Sequence, residues 1–464
     1  MLMTDGWVII LDIGKSFSKA SLWDEAGHCI AQRTRANPRM ESAGRLTLDF
    51  MGIEGWLREA LREFATMGPV SAIVPVAHGA AMTLVGNDRL LEAPLDYEWT
   101  GVAAQRAAYD RQRDPFVATG SPSLPAGLNL GLQLHWLEST GSAGALTGKI
   151  VPWAQYWAWV LSGVACAEVT SLGCHTDLWR PYDHAPSELA RRRGWADRFA
   201  PLTSAGAVLE ALQPAWADAT GLSRNVEVYC GLHDSNAALL NARSHPELRG
   251  RDATILSTGT WFVAMRTPVS KSGLVAIELP EARDCLVNVD VVGTPIPSAR
   301  FMGGREIELL AGTDAPLHSD AGESAAIKAV ESGDIFFPSY TPGVGPYPNA
   351  PLRKISPIPV RNGAMVKAHL YAALVADASL DLIGSCDTVV VDGRFSRAPI
   401  FVRALANLRP KTRVMVSPDE QGVARGALQL VSQGRHDLLE TISPLPVDMS
   451  AYRARWRDAA EHMN

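Results

Sequence analysis

At 464 residues the chain is too long for one ordinary core, so two domains of roughly 200 residues or more are expected. Its composition, 47% apolar and 20% charged, is globular, and a formal net charge of −6 gives no reason to expect a nucleic-acid partner. Any phosphate the chain binds must be held locally, by backbone N–H groups, a metal or a few basic side chains. The six cysteines (Cys29, Cys166, Cys174, Cys230, Cys285, Cys386) form no CxxC pair and no metal-ligand spacing. They read as buried, reduced thiols of a cytoplasmic protein. Asp5, Asp12 and Lys15 interrupt the N-terminal apolar stretch, so no signal peptide is expected.

Residues 7–13 read as a strand whose end carries Asp12. Gly14-Lys15-Ser16-Phe17-Ser18-Lys19 is a turn, and 20–24 resume as a strand, which makes an opening β-hairpin. Gly-Lys-Ser is not a P-loop here: the glycine that motif needs five positions earlier is Ile9, and no helix follows the serine. A turn rich in Gly, Ser and Lys still offers N–H groups and cations to a phosphate, and an aspartate beside it suits a hydrated magnesium ion. A plain surface hairpin fits the same residues. Residues 53–66 predict an amphipathic helix. Val70–Ala77 predicts a strand with His78-Gly79 leaving its end, where a ligand contact or a structural histidine is expected. Another strand is expected at 82–85.

The stretch 97–141 is rich in turns, with a helix starting around Leu132 and Trp136. Residues 150–167 carry no charge, but Pro152, Gln155, Ser162 and Gly163 interrupt them, and Trp153, Tyr156, Trp157 and Trp159 fall at helical spacings. A core helix is expected there, not a membrane span. His175, Asp177 and Trp179 alternate, so on a strand they would share one face, a pattern that suits polyol binding. Residues 183–224 show helical character and no obvious chemistry. Val226–Tyr229 predicts a strand broken by Gly231, and Asp234 opens a helix, where its carboxylate serves either as a cap or as a reactive group.

The Arg-rich stretch 243–252 marks the expected boundary, giving domains 1–245 and 246–464. A strand from Ala253 to Ser257, the turn Thr258-Gly259-Thr260-Trp261 and a strand from Phe262 repeat the style of 7–24, which suggests a duplicated architecture. Gly303-Gly304 precede a helix at 307–311. Helices are expected at 364–385, 399–408 and 420–431, and strands at 387–392 and 413–416. Gly393 at a strand end is where a nucleotide docks in many α/β folds.

The order of these motifs resembles the FGGY family of carbohydrate kinases, in the actin/hexokinase/Hsp70-like superfamily. The motifs are the acid-ended strand with Gly-Lys-Ser, then Gly231-Leu-His-Asp234-Ser-Asn-Ala-Ala, then Ser257-Thr-Gly-Thr-Trp261, then strand–Gly393–helix. The second phosphate motif looks most like the rhamnulokinase and fuculokinase branch. The resemblance runs over essentially the whole chain. It implies an α/β chain of two ribonuclease H-like (actin-like ATPase) domains with ATP and sugar in the cleft between them.

On that resemblance Asp234 is the general base, and Asp12 with Asp234 lies at the magnesium. Gly14, Lys15, Ser16, Lys19, Gly259 and Thr260 hold ATP phosphates, Gly393 faces the adenosine, and His78, Asp177 and His233 lie on the sugar side. The chain departs from the family pattern at Lys15, where Thr or Ser is usual, and at Arg394, where another glycine is usual. Arg394 and Phe395 are expected to crowd a nucleotide. The implied activity is transfer of the ATP γ-phosphate to a ketose or deoxyketose resembling L-fuculose or L-rhamnulose, with Mg2+ and a small-molecule sugar as partners and a homodimer as a family-level expectation. A non-catalytic sugar- or nucleotide-binding homologue, or an ATPase of the chaperone or actin kind, are the alternatives that share these residues.

Overall fold

The computed structural model describes residues 6–42, 44–269, 278–313, 316–318, 322–353, 362–418, 421–432 and 438–464. Two compact units divide the chain. The first holds 1–241, 287–295 and 423–435; the second holds 242–286, 296–422 and 436–464. The main division thus falls at 241/242, beside the expected 245/246, and the first unit also takes two later segments that the sequence did not mark.

In the first unit the buried apolar run Trp7–Ile13 is a central strand. It pairs antiparallel with Phe17–Trp23, which pairs in turn with Cys29–Ala36. On its other side it runs parallel to Val70–Ala77, which carries Glu227–Tyr229 and Leu232–His233, also parallel. Val208–Ala211 closes the edge, antiparallel to Glu227–Tyr229. Burial on both faces explains why these central strands read as continuous apolar runs and not as alternating ones. Helix Phe50–Ala65 covers the sheet through Ile53, Leu57, Leu61 and Phe64, the i, i+4 stripe of its pattern. Asp49 caps it by accepting from Gly52 N at 3.0 Å.

The second unit repeats that topology. Ala253–Thr258 forms a hairpin with Phe262–Thr267, and Pro295–Phe301 pairs antiparallel outside it. Thr388–Gly393 runs parallel to Ala253–Thr258, Arg413–Val416 follows in parallel, and Glu440–Thr441 and Cys285–Val289 form the edges. The long helix Asn362–Leu382 carries the core of this unit. Its one fully buried acid, Asp377, is ringed by Arg409, Arg453 and Arg457, which satisfies a charge that would otherwise be costly to bury. The duplicated architecture expected from two hairpins is present.

Several local expectations change. The Trp-rich segment is a strand, Lys149–Pro152, followed by a buried helix, Trp153–Ser162; Pro152 separates them. His175 and Asp177 do not alternate along a strand. Both take left-handed conformations (φ 41° and 65°), and only Trp179 enters a short strand, Trp179–Arg180. The helix after Met302 starts at Gly303, not at Ile307. The helix expected at 420–431 spans Gly422–Leu428; its expected start, Glu420, lies outside the described residues. Among the described residues no helix is long and apolar enough to cross a membrane.

Candidate functional site

Asp12 sits near the C-terminal end of the first strand, opposite Lys19 across the hairpin and beside Val76 of the parallel strand. Burial and the nearby Asp234 carboxylate raise its pKa to about 7, while Lys19 pulls the other way. Val76 lies beside both Asp12 and Leu232, so two carboxylates from distant parts of the sequence stand at the same end of the sheet. The turn that follows is held by Asn37. It donates from Nδ2 to Gly14 O (2.8 Å) and from its backbone N to Ser16 O (2.8 Å), and it accepts from Ser18 Oγ at 3.0 Å. A side chain at Gly14 would meet Phe17 O at 2.8 Å, so the tight turn needs glycine there.

Lys15, in that turn, is committed elsewhere. Its ammonium pairs with Asp96, a buried carboxylate whose other oxygen accepts from Glu98 N at 2.8 Å. The ammonium also lies 5.3 Å from the Tyr97 ring centroid. Ser16 and Lys19 are exposed.

His78 leaves the end of Val70–Ala77. Its backbone N donates to Ile13 O, and its Nδ1 meets Gly79 O at 2.7 Å. Its Nε2 is buried with no hydrogen-bond partner among the described residues, and so is Trp153 Nε1; the two rings lie 6.5 Å apart and Tyr97 packs edge-on to His78 at 5.6 Å. Burial lowers the His78 pKa, against the Asp234 charge.

Asp234 is the first residue of helix Asp234–Ser244, so the capping and reactive readings meet in one residue. Its Oδ1 accepts from Ser235 N (2.5 Å) and Ser235 Oγ (3.2 Å), and lies 3.2 Å from His233 Nε2. His233 Nδ1 meets Asn236 Oδ1 at 2.7 Å, and its Nε2 lies 3.6 Å from Cys174 Sγ. Burial opposes its charge, but Cys174 and Asp234 together raise its pKa. The Cys174 thiol is lowered in turn: burial works against that, and His175 and His233 outweigh it. Behind this cluster, Gln155 Nε2 donates to Gly231 O at 3.1 Å, and Glu168 caps the short helix Val169–Leu172.

Asp177 stands apart. Its oxygens take the Tyr109 hydroxyl at 2.7 Å and Arg113 Nη2 at 2.9 Å, and burial, offset by Arg113, raises its pKa to about 6. The sugar-side role expected from alternation therefore loses its geometric basis. The expected residues that come together are Asp12, Lys19, Asp234, His78 and His233. Asp96, Tyr97 and Cys174 join them unannounced. Asp96 is 81 residues from Lys15, and no local motif signals that pairing.

In the second unit, Gly259 and Thr260 form an exposed turn closed by Gly259 N donating to Trp261 O at 3.0 Å. Helix Gly303–Ala311 starts against it: Arg305 N donates to Thr260 O, and a side chain at Gly304 would come within 2.0 Å of Gly259 O. Gly393 has φ +85°, and a side chain there would meet Thr258 O at 2.5 Å. Thr258 Oγ1 bridges this junction, donating to Asp392 O (2.6 Å) and accepting from Phe395 N (3.0 Å). The turn and the Gly393 strand end are therefore one connected piece. Phe395 does not crowd it: the ring is buried with Phe262 and Phe401, because an apolar ring gains more in the core than at an open turn. Arg394 turns towards Glu308 at 3.4 Å.

Residues 250–438 match the family described as carbohydrate kinase FGGY, C-terminal domain. A carbohydrate kinase from Novosphingobium aromaticivorans is 46% identical over 99% of both chains, with a TM-score of 0.91. A xylulose kinase from Lactobacillus acidophilus (13% identity, 98% of this chain and 96% of that one, TM-score 0.76) shares the fold. So does a Plasmodium falciparum glycerol kinase with ADP (13%, 98% of each, TM-score 0.75). A search of curated proteins found no match.

Proposed function

We propose, from the premise that this chain belongs to the FGGY family of carbohydrate kinases and is an ATP-dependent sugar kinase, that Asp234 is its general base. The observation that carries this is the strand register that puts Asp12 and Asp234 at the same end of the sheet, with Asp234 held at one oxygen only. Oδ1 is fixed by Ser235 and His233. Oδ2 accepts no hydrogen bond among the described residues and is the oxygen left to take the proton of the acceptor hydroxyl. As that hydroxyl oxygen bonds to the γ-phosphorus, the bond to the bridging oxygen breaks and ADP leaves. A carboxylate is a weak base for an alcohol, so the proton moves late.

The family uses ATP. In this reading Gly14 and the exposed Ser16, Lys19, Gly259 and Thr260 attend its phosphates, and Gly393 attends its adenosine. The donor set also suits Mg2+. Asp12 and Asp234 are two like charges at one partly exposed place, and among the described residues no third His, Cys, Asp or Glu completes a cage. That matches an ion which keeps most of its ligands as water and phosphate. When bound, it neutralises charge at the transferring phosphoryl group. The acceptor in this reading is a ketose or deoxyketose of the L-fuculose or L-rhamnulose kind, with the chain a cytoplasmic homodimer. Burial of Phe395 removes the main motive for a non-catalytic homologue.

ADP release with magnesium and ATP, against a panel of ketoses, polyols and aldoses, tests this in wild type and Asp234→Asn. One sugar should stimulate wild type, and the variant should lose about 10²-fold or more of turnover. Near wild-type turnover in Asp234→Asn refutes the assignment.

A further inference from the structure

We infer that Lys15 and Asp96 form an acceptor-side pair that makes this kinase select uncharged polyhydroxy compounds and reject sugar acids. The inference rests on the kinase reading and assigns Lys15 away from the ATP phosphates. Three observations support it. First, the Lys15 ammonium is anchored on Asp96 and lies over Tyr97, whose ring packs against His78, and it is near enough to bear on the charge of His78. The same is true of Asp234, so Lys15, His78 and the base face one region of the first unit.

Second, that region holds two buried polar atoms with no partner among the described residues, His78 Nε2 and Trp153 Nε1. Buried polar groups are normally satisfied, and leaving them unpaired is costly, so a ligand rich in hydroxyls is the natural partner. Lys15 makes one hydrogen bond among the described residues, to Asp96, and an ammonium has three N–H donors.

Third, the Lys15 cation is already matched, by Asp96. A carboxylate brought here would find that cation compensated, and would face the Asp234 charge. A hydroxyl can accept from the ammonium without disturbing that balance.

Calorimetry on the wild-type protein, with each compound added alone, measures binding without turnover. The probes are D-xylulose, L-rhamnulose, L-fuculose, glycerol, D-gluconate and, separately, magnesium–ATP. At least one neutral compound should bind, and D-gluconate should bind at least about tenfold more weakly. Adding Lys15→Met should weaken the neutral compound about tenfold or more and leave ATP within about twofold. Adding Asp96→Asn should shift the ratio towards D-gluconate about tenfold, because it frees the ammonium charge. This opposite response stays informative if Lys15→Met proves poorly folded.

Preferred binding of D-gluconate, no binding by any neutral compound, or a Lys15→Met effect on ATP and not on the neutral compound overturns the inference. Lys15-dependent binding of a neutral compound that wild type fails to phosphorylate leaves the inference standing and refutes the kinase mechanism instead.

Discussion

Replacing Gly231 by alanine tests whether the turn before Asp234 places the base. Gly231 has φ +73°, and a side chain there would lie 1.9 Å from Pro75 O. The left-handed conformation alone costs a non-glycine residue about 1 kcal/mol. Relieving the overlap needs a displacement of roughly 1 Å, which breaks one or two of the neighbouring hydrogen bonds at about 1 kcal/mol each. Those at risk tie Gly231 N to Ala205 O and Gln155 to Gly231 O, and the adjoining pairings are Leu232 with Val76 and His233 with Ala77. The total is roughly 3 kcal/mol. A 1 Å misplacement of the base can also cost ~10²-fold in turnover.

Gly221 is the internal control. It has nearly the same φ, +79°, in the same unit, and a side chain added there would meet nothing within 4 Å. Gly221→Ala should lose only about 1 kcal/mol and keep its activity. Urea unfolding followed by tryptophan fluorescence reads mainly the first unit, since all of the thirteen tryptophans except Trp261 and Trp456 lie there. Equal losses for the two variants, or full activity in Gly231→Ala, would refute the reasoning.

Asp12→Asn carries a pH signature. A carboxyl raised from 3.8 to about 7 keeps its proton longer in the folded state. The folded state is therefore favoured at low pH and loses that advantage as pH rises from about 4 to about 7. Full burial would make the loss about 4 kcal/mol; partial access of water to Asp12 roughly halves it. In metal-free buffer the stability gain of Asp12→Asn over wild type should grow by about 1.5 kcal/mol between about pH 4.5 and about pH 8; a pH-independent difference counts against the carboxylate pair. In the second unit, Gly304→Ala should overpack the start of its helix against Gly259, cost about 1–3 kcal/mol and weaken ATP binding about tenfold in calorimetry. Gly363→Ala, where a side chain meets open space in a helix, should leave ATP binding unchanged.

Much of the fold was legible because the central strands are unusual stretches of chain. Trp7–Ile13, Val70–Ala77 and Thr388–Gly393 are apolar runs ended by a polar residue or glycine, and the structure places them within a residue of expectation. The Val208–Ala211 edge strand was not legible. It is short and has no buried residue, and its strand character comes from pairing with Glu227–Tyr229. The His175–Trp179 alternation misled for a related reason. Period-two spacing marks a strand only where a neighbouring strand supplies hydrogen bonds, and here the backbone partners are side chains: Asp177 N donates to Ser121 Oγ and His175 O accepts from Asn129 Nδ2.

For the site, the sequence alone determined which residues carry charge at element ends: Asp12 after an apolar strand, Asp234 after a glycine, Gly393 at a strand tip. These follow from local rules of strand, turn and helix start, which a stretch of a dozen residues contains in full. Only the tertiary structure decided their company. It brought Asp12 and Asp234 close enough to raise one pKa, gave Lys15 to Asp96, bound Asp177 to Arg113 and Tyr109, and drew Phe395 into the core. Charge pairing and burial depend on distance through space, and residues 81 or 222 positions apart acquire a distance only when the chain has folded.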